Sequence, residues 1–317
     1  MSTSTTNRRQ FLKHSALATA GICLATGAPA RADNSKNSIR LGAPVFERPK
    51  DPEELALVHR KLGYRAAYCP GVSLDDKDRI RDIRAGFAKH NVVIAEVGRW
   101  CNLLEADEQK RKANQAKVID GLALAEEIGA RCCVDIAGSR NPDVWYGPHP
   151  DNLSDDFFDA VVENARAIID AVKPETAKFC YEMMGWALPD SADSYLAMIK
   201  AVDRKGFAVH LDPCNLINSP TRFYRNTELL NECFDKLGPW IVSCHAKDVT
   251  WDVEMQVHFR ECVLGEGSLD YQTFLKRLGD LPSDVPLMIE HMKGAEEYDR
   301  SREYVFKVGK EVAVSFG

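Results

Sequence analysis

From about residue 39 onward, short apolar runs alternate with longer segments whose apolar positions recur at helical spacing. The runs at 39–46, 65–69, 92–97, 132–137, 178–183, 208–212, 241–245 and 286–290 are rich in Val, Ile, Cys and Ala. They show no consistent polar face, the pattern of parallel strands covered on both sides. Between and after them, helical periodicity predicts helices over 52–61, 76–90, 106–128, 154–171, 192–202, 227–236, 271–278 and 296–314. Asp51-Pro52-Glu53 has the acid-then-proline order of a helix start, and Gly63, Gly129 and Gly206 sit where helices end before strands. Repeated βα units of this number predict an α/β fold, a single-domain (β/α)₈ TIM barrel, which needs roughly 250 residues. A doubly wound sheet is disfavoured because no Gly-x-Gly-x-x-Gly turn follows the first run.

The chain has 317 residues, so the barrel leaves room for a leader. Asn7-Arg8-Arg9-Gln10-Phe11-Leu12-Lys13 resembles a twin-arginine export signature, followed by an apolar stretch at 15–27 and an A-x-A site at Ala30-Arg31-Ala32. The expected division is a signal peptide at 1–32 and the barrel at 33–317, with the mature protein exported, as to a periplasm. The apolar stretch is too short for a membrane span. A formal charge of −6 argues against a nucleic-acid surface. Cys132, Cys180 and Cys244 lie in apolar runs and no CxxC pair occurs, so buried free thiols are expected rather than a zinc ribbon.

The chemistry concentrates at the ends of the last four runs, which finish at or beside Glu182, Asp212, His245 and Glu290. Parallel barrel strands open their C-termini onto one face, where active sites of this fold lie. Three carboxylates gathered there require a neutralising cation. Oxygen donors with one imidazole suit Mn²⁺ first, with Mg²⁺ or Co²⁺ as alternatives, and the lack of thiolate argues against structural zinc. His210 shares a strand face with Asp212 and reads equally as an orienting or a core histidine. Lys247 at the strand exit is read as substrate-binding and Asp248 as structural. Trp100, Trp145 and Trp186 fall in loops on the active-site side, and 138–153 is the longest such loop and the lid candidate. His291, next to Glu290, is expected to point away from that ligand and is read as structural or as part of the site's outer shell.

Tyr181-Glu182-Met183-Met184, His210-Leu211-Asp212-Pro213-Cys214-Asn215, Cys244-His245-Ala246-Lys247-Asp248, Gly265-Glu266-Gly267-Ser268-Leu269-Asp270-Tyr271 and Met288-Ile289-Glu290-His291 stand in this order. As a set they resemble the sugar phosphate isomerase/epimerase superfamily, the xylose isomerase-like TIM barrels. The resemblance implies that Glu182, Asp212, His245 and Glu290 ligate one divalent ion and that Glu182 and Glu290 act as acid and base. It places a substrate contact at Arg260 and another at the position of Asn215, while Lys247, His210 and Trp186 are candidate substrate-binding residues by their positions at strand ends and in an active-site-side loop. Asn215 departs from the ketose 3-epimerases, which carry a histidine there.

The implied function is a metal-dependent sugar isomerase or epimerase, removing a proton beside a carbonyl through a metal-stabilised enediolate. The alternative is a 3-keto-glycoside 1,2-lyase that eliminates the aglycone after the same first step. A sugar-capture protein would not need two glutamates able to act as bases, and a DNA-repair endonuclease would need more histidines and a basic groove. Expected partners are a small carbohydrate and, during export, the twin-arginine machinery, with self-association left open. Neither nucleic acid nor stable membrane insertion is expected.

Overall fold

The computed structural model describes residues 38–282 and 284–317. The expected leader at 1–32, its expected cleavage site and the expected start of the mature chain lie outside the described residues. Eight parallel strands close into a barrel in the order β1 (Arg40–Gly42), β10 (Pro286–Ile289), β7 (Ile241–Ala246), β6 (Phe207–Leu211), β5 (Lys178–Glu182), β4 (Cys132–Asp135), β3 (Val93–Gly98) and β2 (Ala66–Tyr68). The helical layer outside is α1 (Pro52–Lys61), α2 (Lys77–Lys89), α3 (Glu108–Ile128), α4 (Asp155–Val172), α5 (Ala192–Val202), the short α6 (Pro220–Tyr224), α7 (Asn226–Leu237), α8 (Tyr271–Gly279) and α9 (Ala295–Glu311). No helix among the described residues is long and apolar enough to cross a membrane.

Local chemistry explains most boundaries. The Asp51 side chain caps α1 by accepting the Glu54 N–H, with Pro52 in the first turn. Gly129 ends α3 with φ +76°, a left-handed conformation open to glycine at little steric cost. Gly206 does not end α5. Asp203 takes the left-handed position (φ 47°), and Gly206 instead lets its strand approach α4, where an added Cβ would lie 2.8 Å from Ile169. The first strand is shorter than its apolar run, and its last residue, Gly42, sits against the Ala66 carbonyl and Met288, leaving no room for a side chain. A hairpin of β8 (Asp248–Trp251) and β9 (Phe259–Cys262) between β7 and α8 was not foreseen; its half-exposed, polar sequence lacks the apolar signal of the barrel strands.

The lumen explains how the site is built. Cys132, Cys180 and Ala208 form one buried cluster inside the barrel, and Ala66, Ala95 and Met288 another. Side chains on a strand alternate with period two. Each strand therefore turns the residue two positions further along to the same interior: Glu182 after Cys180, His210 and then Asp212 after Ala208, Glu290 after Met288. Tyr181, on the opposite face, donates its hydroxyl to the Val161 carbonyl of α4 at 3.1 Å. Tyr195 of α5 donates toward the carbonyls of Tyr181 and Ala208, at 2.7 and 2.9 Å, and Tyr271 to that of Lys247 at 2.8 Å. These bonds pin the helical layer to the strands that carry the site. The cysteines of the described residues are free thiols, and Cys132, Cys180 and Cys244 are buried as expected.

His59 of α1 gives the fold a pH dependence. It is 5% exposed between the rings of Tyr64 and Phe87, with its Nδ1 unpaired, and burial holds its pKa down at about 4. Between pH about 4 and 6.5 the unfolded chain binds a proton at this site that the folded chain does not, so stability rises with pH across that window. The shift corresponds to about 3 kcal/mol. Urea unfolding at pH 7 and pH 4 should show the His59→Leu variant losing less stability on acidification than the wild type, by about that amount. Equal losses would contradict the assignment.

Candidate metal centre

Glu182 is the last residue of β5, Asp212 follows β6, His245 lies within β7 and Glu290 follows β10. One ligand atom from each lies within 4.8 Å of the others. His245 Nδ1 is 2.8 Å from Glu182 Oε1, 3.0 Å from Glu290 Oε1 and 3.8 Å from Asp212 Oδ2. One oxygen of Asp212 has a structural task, since Oδ1 accepts the backbone N–H groups of Cys214 and Asn215 as the chain turns away from β6. Its Oδ2 is left facing the cluster.

Electrostatics fits a cation. Burial pushes the Glu182 carboxyl up against its ordinary value, while His245 and Lys247 act the other way. Burial opposes ionisation of Asp212 and Glu290 too, but Lys247 and His245 outweigh it and hold both low. Burial would lower the pKa of His245 and of Lys247, and the surrounding carboxylates hold both well up. Even so, Asp212 Oδ2 and Glu290 Oε1 are buried without a hydrogen bond. Lys247 Nζ lies 2.9 Å from the former and His245 Nδ1 3.0 Å from the latter, as charge contacts. Orphaned buried carboxylate oxygens converging on one imidazole nitrogen are what an oxygen-loving divalent ion satisfies. The quartet fits such an ion.

The other expected site residues divide. Lys247 is 2% exposed and packed into the cluster, with Nζ 2.6 Å from Asn215 Oδ1, 3.3 Å from Glu261 Oε1 and 3.4 Å from Glu290 Oε1. Asn215 donates to the Met183 carbonyl at 3.1 Å and lies 3.4 Å from Glu182 Oε1. His210 is fully buried. Arg260 stands apart, half-exposed on β9 and paired with Asp252 at 2.7 Å. Alternation along β9 turns its neighbour Glu261 toward Lys247 and His291 instead. Trp186 is 61% exposed, its carbonyl held by Asn152. Asp248 is structural, its two oxygens accepting the backbone N–H groups of Val249, Gly265, Gly267 and Leu269. In the loop at 138–153, buried Asn152 ties Arg140, Gly147 and Ser139 together.

A cavity of about 440 Å³ opens beside the quartet, lined by Glu182, Glu290, Tyr68, Trp100 and His291 among others. His291 thus stands at the cavity wall, beside Glu290. Glu96 of β3 also lines it, and sequence reasoning missed this residue. It is 1% exposed, and its Oε1 lies 3.1 Å from His245 Nε2. The one available signal was an ionisable residue inside the otherwise apolar run at 92–97.

Residues 58–308 match the profile of the xylose isomerase-like TIM barrel. The chain belongs to that family. Solved structures of similar fold include a xylose isomerase-like TIM barrel protein from Mycobacterium smegmatis in complex with magnesium, at 18% identity and a TM-score of 0.61, covering 87% of this chain and 97% of that one. D-psicose 3-epimerase from Clostridium cellulolyticum H10, solved with D-tagatose, is 15% identical with a TM-score of 0.61, over 87% of this chain and 100% of that one. The 3-keto-D-glucoside 4-epimerase from E. coli is 14% identical with a TM-score of 0.62, over 85% and 99%. At such identities the likeness is one of fold. No match is found among curated proteins.

A bound ion stabilises the native state by mass action, by about 2.7 kcal/mol at a hundredfold excess over Kd. Adding Mn²⁺ to chelator-treated protein should raise Tm by several degrees and EDTA should reverse the rise. The Asp212→Asn variant should show less than a third of it. An equal rise in both proteins would place the ion elsewhere.

Proposed function

We propose that the protein is a divalent-metal-dependent sugar isomerase or epimerase that removes and returns a proton beside a carbonyl, through an enediolate. The observation that carries this reading is a difference in exposure within the quartet. Asp212 and His245 are fully buried, whereas the Glu182 and Glu290 side chains are 9% and 13% exposed and line the cavity. Asp212 and His245 are shut away from the cavity, whereas Glu182 and Glu290 also face the space where a substrate would sit. Their strands are separated by β6 and β7 in the barrel wall, so the carboxylates approach that space from different directions. Such a pair can take a proton from one face of a carbon and return it from another.

A divalent ion held by the quartet supplies Lewis-acid stabilisation to oxygen charge developing beside the deprotonated carbon. This chain's residues do the rest. Glu182 and Glu290 hold and move the proton. Lys247 fixes Asp212 and Asn215, and Trp100 and Tyr68 cover His245 with ring centroids 6.4 and 6.5 Å from it. The substrate is a small carbohydrate, in keeping with the sugars named for the two epimerases of the same fold.

One observation favours a second reading, the 3-keto-glycoside 1,2-lyase. Asn215 stands where the ketose 3-epimerases carry a substrate-contacting histidine, and its amide is occupied by Lys247 and the Met183 carbonyl. That removes a contact on which recognition of free ketoses depends and leaves the shared first step intact.

Incubation of the Mn²⁺-loaded protein in D₂O with free ketoses, and separately with 3-keto-glucosides, distinguishes these readings by NMR. Deuterium at a carbon bearing hydroxyl in an intact sugar identifies the epimerase; aglycone release with an unsaturated keto sugar identifies the lyase. Binding without any exchange contradicts both. Glu182→Gln and Glu290→Gln should each lower exchange by about 10²–10⁴-fold while remaining folded by circular dichroism. Full activity in either would remove that residue from the mechanism.

A further inference from the structure

Two buried polar clusters meet at His245. One is the quartet, and the other comprises Glu96, His210 and His245. Both have the residue types of a metal site, yet an imidazole ordinarily gives one nitrogen to a metal and keeps a proton on the other. His245 therefore serves an ion in one cluster and a hydrogen bond in the other. Its Nδ1 faces three carboxylates, two of whose oxygens are orphaned. Its Nε2 faces Glu96 Oε1 alone, at 3.1 Å.

The surroundings of Glu96 show the same division. Its Oε2 lies 2.9 Å from His210 Nε2 and accepts from Ser243 Oγ at 3.1 Å. Three groups able to donate thus converge on one carboxylate, which only accepts and has about four lone-pair positions. An amide of the same shape would turn an NH₂ group toward at least one of them. With its Oε1 on His245 and its Oε2 on His210 and Ser243, Glu96 leaves neither oxygen orphaned, unlike Asp212 and Glu290.

We infer that Glu96 is the positioning residue of the metal centre, accepting the Nε2–H of His245 so that the Nδ1 lone pair points at the ion. His210 and Ser243 hold the carboxylate in place from its other oxygen. This gives His210 its part: it touches neither the ion nor the substrate and orients the group that orients the ligand. The cluster around Glu96 is consequently not a second ion site, and the protein takes one ion per chain. The inference rests on the quartet being a metal site and adds a residue from β3 to a centre otherwise built from β5, β6, β7 and β10.

The test uses full-length folded protein loaded with diamagnetic Zn²⁺ and labelled with ¹⁵N at histidine. Long-range ¹H–¹⁵N spectra should show His245 protonated at Nε2 and metal-shifted at Nδ1; the reverse assignment overturns the inference, and this needs no variant. In parallel, Glu96→Gln should weaken Mn²⁺ binding by about 10–100-fold in calorimetry. Glu96→Asp, which keeps an acceptor-only group, should weaken it less. A merely structural role for Glu96 would lower the Tm of the ion-free protein and leave Mn²⁺ affinity within about twofold, and that outcome, or two ions per wild-type chain, overturns the proposal. Wild-type protein that binds no ion contradicts the metal centre itself.

Discussion

Three carboxylates share one buried space at the mouth of this barrel, and the need to neutralise them governs the structure around it. Burial alone pushes the carboxyls of Glu182, Asp212 and Glu290 up from their ordinary values. Lys247 and His245 offset part of the cost for Asp212 and Glu290, and the oxygens still without hydrogen bonds face into the cluster, where a cation could be held. Neighbouring features follow from holding these groups still. Asp212 is fixed by the turn after β6, Lys247 by Asn215 and by the Tyr271 bond to its carbonyl, and His245 by Glu96.

The barrel supports this by using period two. Alanines, cysteines and Met288 fill the lumen, and the same strand faces bear acids and histidines at the open end. A cavity is left on one side of the cluster, and Glu182 and Glu290 reach it while Asp212 and His245 do not. Under the proposed function, that difference in exposure divides proton transfer from ion binding among four residues that look alike as a set.

Much of this was legible in the chain. The spans of α1 and α5 follow from their capping and periodicity without adjustment. The quartet was visible because strand ends in a parallel barrel all open on one face. What escaped had physical reasons. The β8–β9 hairpin carries polar residues on an exposed surface, so no apolar rhythm announces it. Glu96 lies inside an apolar strand, and its partners come from β6 and β7, more than a hundred residues away in sequence. Arg260 and Glu261 are adjacent, and only the hairpin's pleat decides which of them faces the site. Gly206 looked like a helix end because the left-handed position falls on Asp203, a residue that tolerates it less readily.

The most direct test of the account is to locate the ion by anomalous scattering from crystals of the Mn²⁺-loaded protein. A quartet that holds one ion gives a single peak per chain, at coordination distance of about 2.0–2.2 Å from His245 Nδ1 and from oxygens of Glu182, Asp212 and Glu290. A peak on the Nε2 side of His245, beside Glu96, or no peak within the quartet at saturating Mn²⁺, would contradict it.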